Sequence, residues 1–349
     1  MSLSLYIDTA RWRAHQQSVV AAYPGLVPVA KGNGYGFTNL RLAEEAALLG
    51  ADTLAVGTTH EAAVVKDYFS GDLMVLTPYR IQEEPVPLPD RVVRTVSTVD
   101  GAAHLRGARI VVECMTSLKR HGIAPGDLGK LHALIGDGVR IEGFAVHMPM
   151  DRPDGSDAVA EIAQWVDAIR ASMLPLQSMF VSHVTPDQLT RLQRQYPDVR
   201  FRSRIGTHLW LGDHGAIECR GMVLDVVPVA KGERFGYRQH KAPSDGHLVV
   251  VAGGTAHGVG LEAPKAVAGL APRAKGIARA GLATVNRTLS PFLWQGKQRW
   301  FAEPPHMQVS ILFVSSETQP PQVGEELPAR LRHTTTTFDR LVDGWQSRP

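Results

Sequence analysis

Cysteine is nearly absent: Cys114 and Cys219 are the two in 349 residues, and neither lies in a CxxC or Cys/His cluster. A disulfide framework and a structural zinc site are thereby excluded as organising devices, and a reducing compartment is expected. Charge of one sign is scarce too. A net charge of +3 is too small a surplus for a nucleic-acid or membrane-surface binder. No apolar run is long enough to cross a bilayer. The opening MSLSLYIDTARWRAHQQ carries Asp8, Arg11 and Arg13 where a signal peptide needs an apolar core. The expectation is a soluble, cytoplasmic protein without nucleic-acid, membrane or metal partners. Apolar content of 44% and charged content of 20% are those of an ordinary globular chain, long enough for two domains or a barrel with an added module.

From about Leu26 short β-branched runs alternate with amphipathic segments. The strand candidates are VPVAK, TLAVG, LMVLT, VRTVST, RIVVEC, GFAVHM, MFVSHV and FRSRIG. Between them lie helical stretches such as TNLRLAEEAALLG, THEAAVVKDYF and DAVAEIAQWVDAIRASM. The link PYRIQEEPVPLPD, between the third and fourth runs, lacks helical periodicity. Eight such strands predict an α/β fold, a (β/α)8 TIM-like barrel over residues 1–215. An open doubly wound sheet is the alternative, but GNGYG lacks the third glycine of a dinucleotide fingerprint. After Gly221 helical periodicity fades. MVLDVVPVA, GHLVVVAGG, HMQVSILFV and EELPARLRHT predict a mostly β C-terminal domain over residues 216–349. AVAGLAPRAKGIARAGLATVN reads as a long loop with one helix.

A barrel of this kind builds its site from the C-terminal ends of its strands. Those ends carry Lys31, Arg120 just past the fifth strand, His147, Ser182 with His183, and Arg204. Lys31 lies among Val29, Ala30, Gly32 and Gly34, surroundings that lower an amine's pKa and make it a nucleophile toward an aldehyde. A lysine merely paired with a carboxylate at the barrel mouth is the alternative. Tyr35 and the neighbouring glycine amides suit a phosphate.

VAKGNGYG resembles the pyridoxal-phosphate lysine motif of the alanine racemase family, usually close to VVKANAYGHG. LGADTLAVGTTHEA, CMTSLKRHGI, GFAVHMPMD, SRIGTHLWLG, VVVAGGTAHG and PPHMQVSILFV are similar, in order, to the family's later segments, so the resemblance spans nearly the whole chain. It implies pyridoxal 5′-phosphate held by Lys31 as an internal aldimine, with Lys31 as a base at the α-carbon of a small amino acid. Arg204 would face the pyridine nitrogen, Arg120 the cofactor phenolate and the substrate carboxylate, and His147 the ring pocket, a core histidine being the alternative. Tyr35, Ser182, Gly206 and Thr207 would hold the phosphate, with Thr185 able to replace Ser182. The Met307 amide would face the substrate carboxylate. A homodimer with shared sites is implied.

The departures are local. Where the family carries its second catalytic base, a tyrosine, this chain has Thr255, whose hydroxyl is a poor proton carrier at neutral pH. His257, Gln308 and Phe338 depart from the family residues nearby, and His257 is a candidate replacement base. Amino-acid racemisation is the nearest reaction. One-sided deprotonation, decarboxylation, a non-catalytic cofactor-binding role and a lysine-dependent aldolase stand as alternatives.

Overall fold

The computed structural model describes residues 2–135, 138–152, 156–261 and 288–346. They form two compact units. One comprises residues 13–34 and 38–212, the other residues 1–12, 35–37 and 213–349.

The first unit is a closed parallel barrel. After strand β1 (Leu3–Ile7), which belongs to the other unit, its staves are β2 (Val27–Ala30), β3 (Thr53–Val56), β4 (Asp72–Val75), β5 (Val92–Val96), β6 (Arg109–Cys114), β7 (Arg140–His147), β8 (Ser178–Ser182) and β9 (Arg200–Ile205). Each pairs in parallel with the next, and β9 closes on β2 with Val27 opposite Arg204. All eight expected strands are present, and the open-sheet alternative is overturned.

Strand alternation sorts the side chains into two shells. Val29, Ala55, Met74, Val93, Val111, Ala145 and Phe180 form one buried cluster that fills the barrel. Residues one step out of phase, among them Ile110, Val112, Phe144, Val146, Met179 and Val181, join a second cluster with residues of the surrounding helices. The described helices of the chain are α1 (Thr9–Ala22), α2 (Asn39–Leu48), α3 (Thr59–Val65), α4 (Val99–His104), α5 (Leu128–Ile135), α6 (Ala158–Ala171), α7 (Pro186–Gln195) and α8 (Thr207–Leu211), of which α4 to α7 contribute to that cluster. Helix α6 is typical. Asp157 caps it by accepting from the Val159 amide at 2.9 Å, and it buries Ile162, Trp165, Val166 and Ile169. Each such side chain contributes about 1.5–3 kcal/mol on leaving water.

No helix lies between β4 and β5. The outer face of β5 is covered instead by a polar tie: Arg94 pairs with Glu83 at 2.8 Å, Thr59 donates to the same carboxylate at 2.8 Å, and the Arg94 guanidinium lies 5.1 Å from the Tyr79 ring centre. At the opposite end of the barrel Arg202 pairs with Asp52 and donates to the Gly25 carbonyl at 3.0 Å, so that end is closed by structure.

The second unit is an eight-stranded sheet. Its strands are β1, β10 (Ile217–Val229), β13 (Gly246–Ala252), β14 (Leu289–Trp294), β15 (Lys297–Phe301), β16 (Val309–Ser315), β17 (Glu326–Ala329) and β18 (Arg340–Asp343), in the order β13-β16-β15-β14-β17-β10-β1-β18. A small separate hairpin joins β11 (Arg234–Phe235) to β12 (His240–Lys241). The long strand β10 is the spine, pairing with β1, β13 and β17. β14 and β15 meet across Gln295 and Gly296, both at positive φ (52° and 73°), as a two-residue hairpin with the strands' natural twist requires.

The expected domain spans differ from this at the N-terminus. Residues 1–12 group with the second unit, because Leu3, Leu5 and Ile7 are fully buried and β1 is hydrogen-bonded on both sides, to β10 and β18. The stretch 266–286, read as a loop with one helix, lies outside the described residues. Among the described residues, no helix is long and apolar enough to cross a membrane, and no group of three or more potential metal ligands occurs. Both cysteines are free and buried.

Candidate functional site

Two positions beyond the apolar layer inside the barrel, the residue types change. Val29 is followed by Lys31, Val111 by Glu113, Ala145 by His147 and Phe180 by Ser182, while β9 brings up Arg204 two residues after Arg202. Because side chains repeat inward every second residue, these five belong to one layer at the C-terminal mouth. The structure thus brings together Lys31, His147, Ser182 and Arg204 as expected from sequence, and adds Glu113.

Arg204 is 8% exposed and tightly held. Its Nη1 lies 3.3 Å from Glu113 Oε2 and its Nη2 donates to the Val146 carbonyl at 3.2 Å. Its Nε is buried with no hydrogen-bond partner. An orphaned, permanently charged donor is costly unless a ligand acceptor reaches it.

The lysine turn is fixed by a residue sequence reasoning missed. Glu61 Oε1 accepts from the Gly32 amide at 2.8 Å, while Oε2 accepts from Gly57 at 2.6 Å and Thr58 at 3.2 Å. Thr58 and Glu61 also form the capping box of α3. One carboxylate therefore ties the turn after β2 to the end of β3. Trp210 of α8 anchors the same strand by donating from Nε1 to the Val29 carbonyl at 2.8 Å.

Electrostatics follow from this crowding of cations. Partial burial, then the Arg120 and Arg204 charges, hold the Lys31 amine below its ordinary pKa, with Glu61 opposing. Burial and the same two arginines bring His147 down to about 3, so its imidazole is neutral. Its ring stands edge-to-face with His183, centroids 5.0 Å apart. His183 is lowered by desolvation and by Arg204, Lys31 and Arg120, though part of its ring meets solvent. The His147 carbonyl, not its ring, is the atom bonded to protein, accepting from Thr116 Oγ1 at 2.7 Å.

Backbone strain concentrates nearby. Lys119, next to Arg120, and His183, next to Ser182, lie at φ 56° and 58°; Tyr35 and Thr38, soon after Lys31, lie at 55° and 73°. Non-glycine residues persist there only when their surroundings over-determine them. Gly206 precedes α8 with no side-chain cap, and Thr207 is its first residue. Thr185, the alternative to Ser182, is committed elsewhere: its hydroxyl caps α7 by accepting from Gln188 at 3.2 Å.

The remaining expected residues group with the β unit. Tyr35 does so together with Phe37, which stacks on Trp12 at 4.5 Å. Thr255, His257, Met307 and Gln308 come together on two loops laced by backbone bonds. Gly253 donates to Gln308 at 2.9 Å, Thr255 to His306 at 2.8 Å and Ala256 to Met307 at 3.0 Å. A Cβ on Gly254 would overlap the His306 carbonyl, so only glycine lets the loops close. Thr255 and Met307 are exposed. His257 is 6% exposed with both ring nitrogens engaged: Nδ1 accepts from Gly254 at 3.2 Å and Nε2 faces Asp339 Oδ1 at 3.1 Å. Phe338 lies beside His333, ring centres 5.9 Å apart.

The described mouth offers an amine, an orphaned guanidinium nitrogen, a neutral imidazole and an unpaired Arg120, a donor set suited to a planar, anionic, aldehyde-bearing ligand. Comparison with known proteins agrees in kind. The chain is 28% identical over 269 residues to alanine racemases of Mycobacterium bovis and Mycobacterium tuberculosis, covering 68% of this chain and 68% of each relative. The fold matches the crystal structure of alanine racemase from E. faecalis with a TM-score of 0.68 at 19% identity, over 94% of this chain and 88% of that one. It also matches the Bartonella henselae alanine racemase crystallised with covalently bound pyridoxal phosphate, with a TM-score of 0.67 at 16% identity, over 95% and 91%. The family model of the alanine racemase N-terminal domain matches residues 7–193, and the chain therefore belongs to the alanine racemase family.

Proposed function

We propose that the barrel mouth binds pyridoxal 5′-phosphate at Lys31 and acts at the α-carbon of a small amino acid, racemisation being the nearest reaction. The observation that carries this reading is the Lys31 amine, lowered in pKa, in one layer with Arg204 and its orphaned Nε. The covalent cofactor of the Bartonella relative supports it. When bound, the cofactor would withdraw electrons from the bonds to the substrate α-carbon.

Each protein group then has a role. Lys31, whose amine loses its proton more readily than a free lysine, holds the aldehyde and is placed to take a proton on one face. Arg204 would present its orphaned Nε to the ring nitrogen. Glu113 and the Val146 carbonyl fix its other nitrogens. A guanidinium does not give up its proton, so Arg204 would leave a bound ring nitrogen unprotonated and the cofactor a weaker electron sink. His147 flanks the ring as a neutral imidazole. Arg120 pairs with no carboxylate among the described residues and is free to receive one from the substrate. Ser182, Gly206 and Thr207 would hold the phosphate, with Tyr35 and Met307 as further contacts by family resemblance.

The second proton carrier is the open position. Thr255 stands where the family has tyrosine. The two bonds of the His257 ring argue that it positions the Thr255 turn rather than carrying protons. Racemisation of alanine is therefore expected to be slow, and one-sided deprotonation is the second reading. A homodimer with shared sites and a cytoplasmic location complete the proposal. The test is the visible absorbance of the cofactor-loaded protein and of Lys31→Ala, followed by α-proton exchange in deuterium oxide. Loss of the band in the variant and exchange in the wild type are expected. A variant that keeps an identical band overturns the assignment of Lys31, and inversion that survives Thr255→Ala and His257→Ala together removes both from proton transfer.

A further inference from the structure

Arg80 and His121 have no part in the chemistry above, yet both stand at the barrel mouth. Arg80 lies in the loop that follows β4. Its Nη1 donates to the Tyr79 carbonyl at 3.1 Å and to Ser97 Oγ at 2.8 Å. Ser97 is buried and directly follows Val96, the last residue of β5, so the guanidinium is pinned at the C-terminal end of that strand. Arg120 and His121 follow β6, whose Val112 pairs with Val96. The two basic loops are therefore neighbours.

The loop bearing Arg120 and His121 is closed at its base. Met115 donates to Ile123 at 3.0 Å and Ile123 to Glu113 at 2.8 Å. Gly122, at φ 140°, packs so closely on Met115 that a Cβ would overlap its backbone. Within this frame burial lowers His121, and the charges of Arg120 and Arg80 lower it further against Glu113. Neither arginine has a carboxylate partner among the described residues. Arg80 is held by Tyr79 and Ser97, Arg120 faces solvent, and each carries a charge that a ligand anion can meet.

The direction of that anion is set by strand order. The expected phosphate residues lie on β8 and after β9, whereas β5 is the stave opposite β9 in the closed barrel and β6 is its neighbour. One arginine, Arg120, suffices for an α-carboxylate. Arg80, Ser97 and His121 remain for a second acidic group.

We propose that the substrate is an amino acid with an acidic side chain, whose second carboxylate is received by Arg80, Ser97 and His121 at the β5–β6 corner. This rests on the reading of the mouth as a cofactor-bound amino-acid site. The test titrates L-aspartate, L-glutamate, their amides L-asparagine and L-glutamine, and L-alanine into the cofactor-loaded protein. Visible absorbance and calorimetric affinity are both followed. A charge-assisted bond to a carboxylate predicts that one of the acids binds about tenfold or more tightly than its own amide. Arg80→Gln and, independently, His121→Asn should shrink that ratio while keeping the visible band. Equal binding of acid and amide overturns the proposal alone, as does a preference that survives both variants. A variant that loses cofactor assigns Arg80 to the phosphate, and one that changes oligomeric state by light scattering assigns it to a partner subunit; either refutes the substrate role. Absence of the visible band in the wild type instead refutes the underlying reading of the mouth.

Discussion

Glu61 is the point where one substitution separates two effects on Lys31. In Glu61→Gln a single acceptor oxygen must replace two that serve three amides, those of Gly32, Gly57 and Thr58. The best arrangement leaves the oxygen on Gly57 and Thr58 and turns the new NH2 toward the Gly32 amide, so a donor faces a donor. A charge-assisted bond is worth about 1.5–3 kcal/mol. After allowance for the partial exposure of Glu61, the local cost is about 2 kcal/mol. That is roughly a 30-fold rise in the opening of the lysine turn. Hydrogen exchange of peptides spanning residues 31–36 and 55–60 reads this directly, and peptides from the β unit serve as the internal control. The same change removes the one influence that raises the Lys31 pKa, so the amine should lose its proton at a lower pH than in the wild type. The pH profile of Lys31 acylation by an amine-directed reagent measures that shift. Unchanged exchange at Gly32, or a labelling midpoint that moves upward, refutes the account of Glu61 as the clamp and counter-charge of this turn.

Acid should weaken the barrel through His147, whose ring is neutral in the fold down to about pH 3 but is protonated in the unfolded chain below its ordinary 6.5. The unfolded chain then binds more protons, so stability falls as pH drops from about 6.5 toward 3, by at most about 4–5 kcal/mol; His147→Gln should flatten this part of a urea-midpoint profile. Arg204→Gln should destabilise the cofactor-free protein by about 3–5 kcal/mol because it strands buried Glu113, and adding Glu113→Gln should recover part of the loss in a double-mutant denaturation cycle. Gly122→Ala should cost several kcal/mol by thermal unfolding, because its Cβ meets the Met115 backbone at φ 140°; a shift equal to that of Gly126→Ala, where the space is open, would contradict the packing.

The barrel was legible because its strands are covered on both faces, so each appears as a continuous β-branched run such as RIVVEC, bounded by helical periodicity. The β unit was read less completely. Hairpin strands such as LSPFLW and KQRWF bury few of their residues, and KQRWF carries two charges, which leaves a weak alternation. Strand β1 was invisible for another reason. LSLYI resembles any short apolar start, and its pairing with β10 and β18 spans more than 200 residues of sequence, a contact that no local pattern encodes.

The site divides along the same line. Lys31, His147, Ser182 and Arg204 could be found because each lies at or beside the end of a recognisable strand. Glu113 obeys the same inward period as Val111, yet Cys114 ends the strand and draws the eye past it. Counting forward by two from each apolar interior residue, rather than reading the last residue, would have found it. Glu61 and Trp210 lie on helices and reach the mouth only through backbone bonds to other elements, so periodicity carries no signal for them. Arg80 is the extreme case. Its loop lacks helical patterning, and that absence alone marks where a polar side chain can descend to the end of β5 instead of a helix packing over it. In a barrel, then, the strand ends encode the chemistry shared by relatives. On the proposal of an acidic substrate, discrimination would lie in the one connection that departs from the repeat, and variation in the β4–β5 loop should alter acid-over-amide preference before it alters cofactor retention.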